Sequence, residues 1–476
     1  MSESALHAFV EWFGVDEVLI QRVLSEAMGR GADFADLYFQ HTRNTSLTLE
    51  DGIVSRANTG IDQGVGVRAV VGDQTGYAFS ESLDADSMLA AARTAAAIAA
   101  AEGRAPAQEM KLAAVPDFYP LGRDWEAVGQ AARLERVRRA EAGVRALEEA
   151  VEKVSVHWSD QDERVLVATS DGVLSADRRP MAMMNCQVTA LKDGVRQSHG
   201  ANVARRDGIE FFDEEQIEKL CREAVDRTMI LFEAQRPPAG EMPVVLAAGA
   251  SGILLHEAIG HGLEADFNRK GTSIYSTLLD EPVAPDFVTI VDDASLPNDR
   301  GALNVDDEGQ PTEKTVLIED GVLRSYLHDR ISAAHYGTET TGSGRRQSFR
   351  HVPMPRMRST YMLDGPHSYE EIIAAVDRGI VADSFTNGQV QIGAGDFTFY
   401  IKNGWLIEGG KIAAPIKDVN IIGNGPEALR NMEMAAGDMR IDTGSWTCGK
   451  NGQGVPVSMG IPSVLVKSLT VGGVNE

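Results

Sequence analysis

Cysteine is scarce in this chain: the 476 residues contain three, Cys186, Cys221 and Cys448. An odd and sparse set in a long chain argues against a disulfide framework and favours a reducing compartment. The first residues agree with this, because they have no basic start and contain Glu3 and Glu11, unlike a secretory signal. We therefore expect a cytoplasmic protein.

Positive charge is also in short supply. Lys and Arg total 45 against 70 Asp and Glu, which gives a formal net charge of −25. Such a surface repels phosphate backbones, so we expect no nucleic-acid partner. Long apolar runs are missing too: the alanine-rich stretch 89–101 is shorter than the roughly 18 residues that a membrane span requires and contains Arg93. We expect no membrane association either.

The remaining composition is that of an ordinary globular protein, with 43% hydrophobic and 24% charged residues. Alternating apolar and polar residues at 36–80 predict an antiparallel meander with tight turns at Asp51-Gly52 and Gly72-Asp73. Helical periodicity predicts helices at 6–28, 85–101, 124–151 and 213–232. Helices and strands are segregated along the chain, which indicates an α+β fold of antiparallel sheets with helices packed on them.

The proline-rich segment 235–243 is the best candidate for a domain boundary. We predict an N-terminal α+β domain at 1–234, made of a meander sheet and helices. A C-terminal β-rich domain is predicted at 244–476. This second domain begins with a buried strand, turns into a helix after 249–252, and continues with short strands, glycines and predicted helices at 368–377 and 426–435.

The chain is organised around the sequence LLHEAIGHGLE at 254–264. His256 and His261 offer two imidazoles, and Glu257 offers a carboxylate directly after the first. A hydrolytic metal site needs such ligands, an open position for water and a base beside that water. The neighbours Leu254 and Leu255 are apolar, so ionisable groups here require a reason.

The spacing of the two histidines is the difficulty, because residues five apart on an α-helix lie about 140° from each other. Either a π-type turn restores the alignment or the helix ends near Gly260. Glycines flank His261 on both sides, and glycine accepts unusual conformations readily. We predict that the helix is distorted or ends between His256 and His261, so that both rings face one ion. The alternative is a regular core helix whose histidines bond to the backbone and whose glutamate faces solvent.

A third ligand does not follow from the spacing. Glu264 reaches the ion if the helix continues beyond His261. Among the thiols Cys448 leads, because it lies in a glycine-flanked loop, GSWTCGKNG at 444–452. Cys186 and Cys221 lie in strand-like and helical contexts, where a small core residue is the simpler interpretation. A cysteine protease would need a histidine beside Cys448, and no sequence feature pairs one with it.

Four longer segments resemble the TldD/PmbA family of metalloproteases, and specifically its catalytic TldD-type member, once described as a modulator of DNA gyrase. They are HEAIGHGLEADF (256–267), GSGRRQSFRHVPMPRMRSTYM (342–362), the stretch 388–425 that begins GQVQIGAG, and TCGKNGQGVPVSMGIPS (447–463). The resemblance covers essentially the whole chain.

The resemblance implies one divalent metal ion, Zn2+ or alternatively Fe2+, held by His256, His261 and Cys448. It also implies a cytoplasmic protease that cleaves unfolded or short peptides by a metal-activated water, with Glu257 as the general base. The implied assembly is a heterodimer with a homologous PmbA/TldE-type sister subunit, or a homodimer.

Other interpretations stay open. A non-catalytic regulator that binds peptides or gyrase would hold the metal as a structural ion or lack it, and a third possibility is a metal-dependent hydrolase for small molecules. No substrate-binding residue is identified: His328, Arg346 and Tyr361 can stabilise an oxyanion but can equally be structural. Glycines within 391–396 indicate either exposed backbone to which a peptide adds as a strand, or simple turns.

Overall fold

The computed structural model describes residues 9–100, 107–391 and 393–472. Besides a helical stretch at 9–13, the described α-helices are α1 (Glu17–Ala27), α2 (Ala85–Ile98), α3 (Gln130–Leu147), α4 (Glu214–Met229), α5 (Ile253–Ala258), α6 (Ala265–Arg269), α7 (Arg330–Tyr336), α8 (Tyr369–Ala374) and α9 (Gly425–Arg430). Short 3-10 helices cover Trp125–Ala127, Ile209–Phe211, Ile230–Phe232, Ala250–Gly252 and Gly260–Leu263. No described helix is both long and apolar enough to cross a membrane.

The described strands are β1 (Phe34–Glu50), β2 (Ile53–Val71), β3 (Gln74–Ser80), β4 (Lys111–Leu112), β5 (Val151–Thr169), β6 (Val173–Lys192), β7 (Val195–Arg205), β8 (Gly240–Leu246), β9 (Ile290–Asp293), β10 (Lys314–Glu319), β11 (Val322–Leu323), β12 (Gly344–Arg345), β13 (Met354–Pro355), β14 (Ser359–Met362), β15 (Arg378–Gln391), β16 (Asp396–Glu408), β17 (Lys411–Asn424), β18 (Met432–Ala435), β19 (Arg440–Ile441), β20 (Thr447–Lys450), β21 (Gln453–Pro456), β22 (Ser458–Ile461) and β23 (Val464–Gly472). This mixture of mainly antiparallel sheets and packed helices confirms the predicted α+β fold.

The strands β1 to β7 form one sheet in the order β3-β2-β1-β5-β6, with β7 and the short β4 both paired with β6. The hairpins are long and antiparallel, and β1 runs opposite β2 from Phe34 to Glu50. Asp51 and Gly52 have φ values of 47° and 81°, as a two-residue hairpin turn with positive φ at both positions requires. The predicted meander and its first turn are therefore confirmed.

Two predicted helices need correction at their ends. The helix predicted at 6–28, whose residues 6–8 lie outside the described range, is interrupted at Gly14 (φ 63°). Helix α1 then starts anew because the Asp16 carboxylate accepts a hydrogen bond from the backbone N–H of Leu19. The helix predicted at 124–151 begins at Gln130, after a separate 3-10 turn at Trp125–Ala127, and ends at Leu147.

The strands after residue 239 form two larger sheets that enclose the first turns of the motif. Their orders are β11-β10-β9-β14-β22-β19 and β17-β16-β15-β8-β23-β18, and β17 also pairs with β23. Helix α5 lies between them: Leu254 and Leu255 are buried in one core with Leu246 of β8 and Ile290 of β9. Apolar contacts of Ile253, Leu254, Leu255 and Ala258 thus fix the helix in this core and position the residues that follow it.

In this half one open alternative can be decided and one predicted helix needs correction. In the segment 391–396 the Gly395 N–H donates to the Gln391 carbonyl at 2.6 Å, in the turn between β15 and β16; of the two interpretations of these glycines, this contact favours simple turns. The helix predicted at 426–435 ends at Arg430, and β18 follows.

The predicted domain boundary falls between the first sheet and the later ones. The last strand of the first sheet ends at Arg205, and β8 begins at Gly240 within the predicted connector. The Gln235 N–H bonds to the carbonyl of Pro415, so the connector is already tied to the second half. The division into domains at 1–234 and 244–476 stays a prediction.

Candidate metal centre

Helix α5 ends between the two histidines of the motif. Its last residue is Ala258, Ile259 has φ −124° and ψ −56°, and a 3-10 turn follows at Gly260–Leu263. This break brings the His261 ring back beside the His256 ring, with the ring centroids 5.1 Å apart and the planes at 79°. The predicted end of the helix between the histidines is confirmed.

The glycines on either side of His261 serve close packing rather than unusual backbone angles. Neither Gly260 nor Gly262 has a positive φ. A Cβ at Gly260 would lie 2.0 Å from the Met357 sulfur, and a Cβ at Gly262 would lie 2.7 Å from the Tyr275 ring. Our conformational reason for these glycines is therefore wrong: a side chain at either position would force Met357 or Tyr275 to move.

Cys448 reaches the two histidines from a separate hairpin. It lies on β20, where it is paired with Val455 of β21, and its Sγ lies 3.5 Å from Nε2 of His261. The nearest donor atoms of His256, His261 and Cys448 all lie within 4.8 Å of one another. All three residues are at most 3% exposed. The structure thus brings together the three residues that were predicted as ligands.

The donor set fits a zinc-sized ion. Nitrogen and sulfur ligands at about 2.1 and 2.3 Å from a tetrahedral ion lie roughly 3.6 Å apart, and the observed Sγ to Nε2 distance is 3.5 Å. Both ring nitrogens of His256 are buried and have no hydrogen-bond partner among the described residues. Buried polar atoms are rarely left in this state, because desolvation without a partner is costly. A bound cation would satisfy one of them.

Glu264 contacts the His261 ring on the side opposite Cys448. Its Oε2 lies 2.9 Å from Nδ1 of His261 and 3.0 Å from Nζ of Lys450. Burial alone would raise the pKa of Glu264, but the positive charges of Lys450 and His261 lower it to about 2. The carboxylate therefore accepts the Nδ1 proton, which leaves Nε2 as the ring nitrogen on the side of Cys448.

Lys450 is a residue of the site that sequence reasoning missed. Its ammonium group also lies 2.7 Å from Asp266 and is buried. The sequence predicted a loop at 444–452, whereas Thr447–Lys450 forms a strand. Cys448 and Lys450 are two residues apart on it, which puts both side chains on one face. A buried lysine there requires a carboxylate partner, and Glu264 supplies it.

The charges around the sulfur favour the form that binds metals. Burial alone would raise the pKa of Cys448, but the imidazoles of His256 and His261 hold it well below its ordinary value. The thiolate is the metal-binding form of cysteine. The other two cysteines differ: burial raises the pKa of Cys186 to about 12 and that of Cys221 to about 11. Both lie in the core of the first half, as predicted.

Glu257 lies at the edge of this buried cluster. Its side chain is 22% exposed, and its Oε2 lies 3.9 Å from Nε2 of His261. The carboxylate can therefore reach both the candidate metal position and solvent. The three residues considered as oxyanion stabilisers have partners elsewhere: Arg346 lies 3.3 Å from Asp36, Tyr361 donates to Asp293, and His328 packs against Tyr336.

Comparison with known proteins shows which family this chain belongs to. Three family models match the chain: PmbA/TldA metallopeptidase domain 1 at 35–99, the central domain at 123–232, and the C-terminal domain at 239–473. The chain belongs to the PmbA/TldD family of metallopeptidases. The C-terminal match contains every residue of the candidate metal centre.

Named relatives of this family are proteases by description. The metalloprotease TldD homolog of Haemophilus influenzae is 40% identical over 459 residues, which is 94% of each chain. The zinc metalloprotease TldD homolog of Saccharolobus solfataricus is 27% identical over 454 residues, 95% of this chain and 99% of its own. The solved structure of TldE from Thermococcus kodakarensis is 20% identical, with a TM-score of 0.76 over 96% of this chain and 100% of its own, and shows the shared fold.

Proposed function

We propose that this metallopeptidase is a cytoplasmic protease that cleaves unfolded or short peptides. In this proposal His256, His261 and Cys448 hold the metal, and Glu257 is the general base. The observation that carries it is the partly exposed Glu257 carboxylate, 3.9 Å from Nε2 of His261, beside three buried donors that converge on one position.

When bound, the divalent ion supplies a Lewis acid that lowers the pKa of water toward about 7. Glu257 takes the proton from the attacking water and passes it to the leaving amine. The hydrogen bond from Nδ1 of His261 to Glu264 fixes the orientation of that ring. Lys450 compensates the buried charge of Glu264, so that the supporting carboxylate remains ionised.

Zinc is the proposed metal. Two imidazoles and one thiolate are common zinc donors, and the Saccharolobus solfataricus relative is named a zinc metalloprotease. Iron(II) is the alternative, because it accepts the same ligand types. The proposed assembly is a dimer, with a TldE-type sister subunit or with a second copy of this chain. The TldE-type chain is the first partner to test because it shares this fold.

Replacing Glu257 by Gln tests the proposal. We expect cleavage of casein and of short peptides by the zinc-loaded protein to fall by roughly 10²- to 10⁴-fold, because the amide cannot accept the proton. Zinc content and the thermal unfolding midpoint should stay unchanged. Glu313→Gln, at an exposed position of the same half, is the matched control and should cleave at the wild-type rate.

The competing functions predict different results in the same assay. If Glu257→Gln cleaves as fast as the wild type, the proposed base is wrong. If the zinc-loaded wild-type protein cuts neither casein nor peptides, alone or with a TldE-type partner, a binding protein or a small-molecule hydrolase becomes the better interpretation. Chelation of the metal should abolish cleavage, and its re-addition should restore it.

A further inference from the structure

A cavity of about 670 Å³ lies between the first sheet and the hairpin that carries Cys448. Thr447 of β20 and Pro456 of β21 form part of its wall and are paired with each other across the hairpin. Neighbouring side chains on a strand point to opposite faces, so Thr447 faces the cavity while Cys448 faces the histidines. The cavity and the candidate metal centre therefore border the same hairpin, and Val455, the partner of Cys448, also lines the cavity.

Three arginines of this cavity have no carboxylate partner among the described residues: Arg206, Arg300 and Arg345. Arg300 donates from Nε to the Trp446 carbonyl at 2.9 Å. Arg345 donates to two backbone carbonyls, including that of Pro456 at 2.7 Å. Arg206 is 3% exposed, and its buried Nε has no hydrogen-bond partner within the described chain. Their hydrogen bonds are thus made to neutral groups, and the carboxylates of Asp299 and Asp307 act on Arg300 and Arg345 only from beyond ion-pair distance.

The carboxylates that line the same cavity are committed to other arginines. Asp307 lies 2.6 Å from Arg179, which also lies 3.3 Å from Glu163. Asp160 lies 2.6 Å from Arg133, behind the wall. None of these carboxylates forms a described ion pair with Arg206, Arg300 or Arg345, although the charge of Asp307 acts on Arg345 and that of Glu163 on Arg206.

The cluster of positive charge is unfavourable as it stands. Burial, together with the charge of nearby Arg206, lowers the pKa of Arg300 to about 10. Burial also lowers the pKa of Arg345 to about 9; the charge of Asp307 opposes this shift, and the charges of Arg356 and Arg206 add to it. A buried cation without a counter-charge is costly to maintain. Neutral hydrogen-bond donors would be enough to hold the hairpin by its backbone carbonyls. The positive charge of these arginines therefore favours a site for an anionic ligand.

The rest of the lining indicates what kind of molecule carries the anion. Side-chain amides and hydroxyls alternate with apolar groups along the wall; examples are Asn44, Asn58, Gln347, Met181 and Met183. Such a surface suits a polypeptide, whose backbone needs hydrogen bonds and whose side chains need apolar contacts. Guanidinium groups bind carboxylates by paired hydrogen bonds.

We propose that this cavity binds a carboxylate group of the substrate peptide, at Arg206, Arg300 and Arg345. The group comes from an acidic side chain or from the peptide C-terminus. The inference rests on the proposed peptidase function and names the class of peptide that is preferred. The net charge of −25 repels acidic peptides at long range, so a preference for them must arise locally.

Binding to the zinc-loaded, full-length Glu257→Gln protein tests this without cleavage. The probes are fluorescein-labelled short peptides that contain either Glu or Gln at one position, each with a free or an amidated C-terminus. We expect the carboxylate-bearing probes to bind roughly 10- to 100-fold more tightly than the fully neutral probe, as hydrogen bonds to charged groups imply. The Glu/Gln pair and the free/amidated pair distinguish the two sources of the carboxylate.

Substitutions in the same background assign the preference to the cavity. Arg206→Met and Arg300→Met should each bring the affinity ratio of charged to neutral probe close to one. Arg206→Lys keeps a positive charge and should retain most of the ratio. Arg196→Met is the matched control, because Arg196 lies near the start of β7, is paired with Glu152 and is exposed; it should keep the full ratio.

The results also separate this proposal from the proposed function. An affinity ratio near one in the parent protein, no measurable binding of any probe, or a ratio that survives both Met substitutions would overturn the carboxylate site. If the ratio behaves as expected but the wild-type protein cleaves no peptide, the proposed protease activity fails while the binding site stands. The ratio is read within each variant, so a partial loss of folded protein does not mimic the effect.

Discussion

Oε2 of Glu264 lies 2.9 Å from Nδ1 of His261, on the side of the ring away from the Cys448 sulfur. The sequence left Glu264 open as a metal ligand; in the structure it instead forms a hydrogen bond with a candidate ligand, His261. This hydrogen bond determines which ring nitrogen carries the proton, and hence which nitrogen is free to bind a cation.

Removing this support should weaken metal binding. We predict that Glu264→Ala lowers zinc affinity by roughly 10- to 100-fold, because the His261 ring loses both its orientation and the carboxylate that raises its basicity. Glu264→Gln should lose less, since its carbonyl still accepts the Nδ1 proton. Competition with a chromophoric chelator measures the affinity, and Glu257→Gln is the control that should retain it. Equal affinity in wild type and Glu264→Ala would contradict the supporting role.

Replacing each of the three cysteines by alanine should affect the metal content differently. Cys448→Ala should lose stoichiometric zinc, because only Cys448 has its sulfur beside a histidine nitrogen. Cys186→Ala and Cys221→Ala should retain it, since both thiols lie in the core of the first half. Elemental analysis of the purified variants is the measurement. Stoichiometric metal in Cys448→Ala would exclude it as an essential ligand.

The packing around Gly262 predicts a loss of stability on adding one methyl group. In Gly262→Ala the new Cβ would lie 2.7 Å from the Tyr275 ring, and overpacking of this kind costs about 1–3 kcal/mol. We expect a lower thermal unfolding midpoint and reduced zinc retention. Gly449→Ala is the control, because a Cβ there meets nothing within 4 Å. The double variant Gly262→Ala with Tyr275→Leu should recover part of the loss; if it does not, the clash is not the cause.

The buried His328 predicts an acid-dependent loss of stability. Burial lowers the pKa of His328 to about 4, below the value of about 6.5 in an unfolded chain. The unfolded state therefore binds the proton first, so this stability is present above pH 6.5 and is lost as the pH falls toward 4. Between pH 7 and pH 5 the loss should be about 2 kcal/mol. His328→Gln should flatten this pH dependence of the unfolding midpoint.

The nearby His335 provides the comparison for that measurement. His335 is exposed on helix α7, so His335→Gln should unfold with the same pH dependence as the wild type. Comparing slopes rather than midpoints removes any general destabilisation by the substitution. The same slope in His328→Gln and in wild type would show that His328 does not titrate as its burial implies.

Much of the fold follows from signals that lie within a few residues of each other. The Asp51-Gly52 turn joins two alternating segments, and both residues adopt the positive φ that such a hairpin needs. The motif predicted a break in the helix: on a continuous α-helix His256 and His261 cannot both face one ion, and α5 ends at Ala258. The predicted helix limits were less accurate, because periodicity does not detect a break such as the one at Gly14.

Only the tertiary structure decided what surrounds the two histidines. Cys448 is separated from His261 by 187 residues, and local pattern alone left Glu264 and Cys448 open as third ligands. The salt bridge from Lys450 to Glu264, the clash that explains Gly262, and the arginine cavity behind the hairpin all join distant segments. The physical reason is that hydrogen-bonded turns and caps are encoded locally. The contacts around the metal position arise only when the sheets pack around α5 and bring separate hairpins against it.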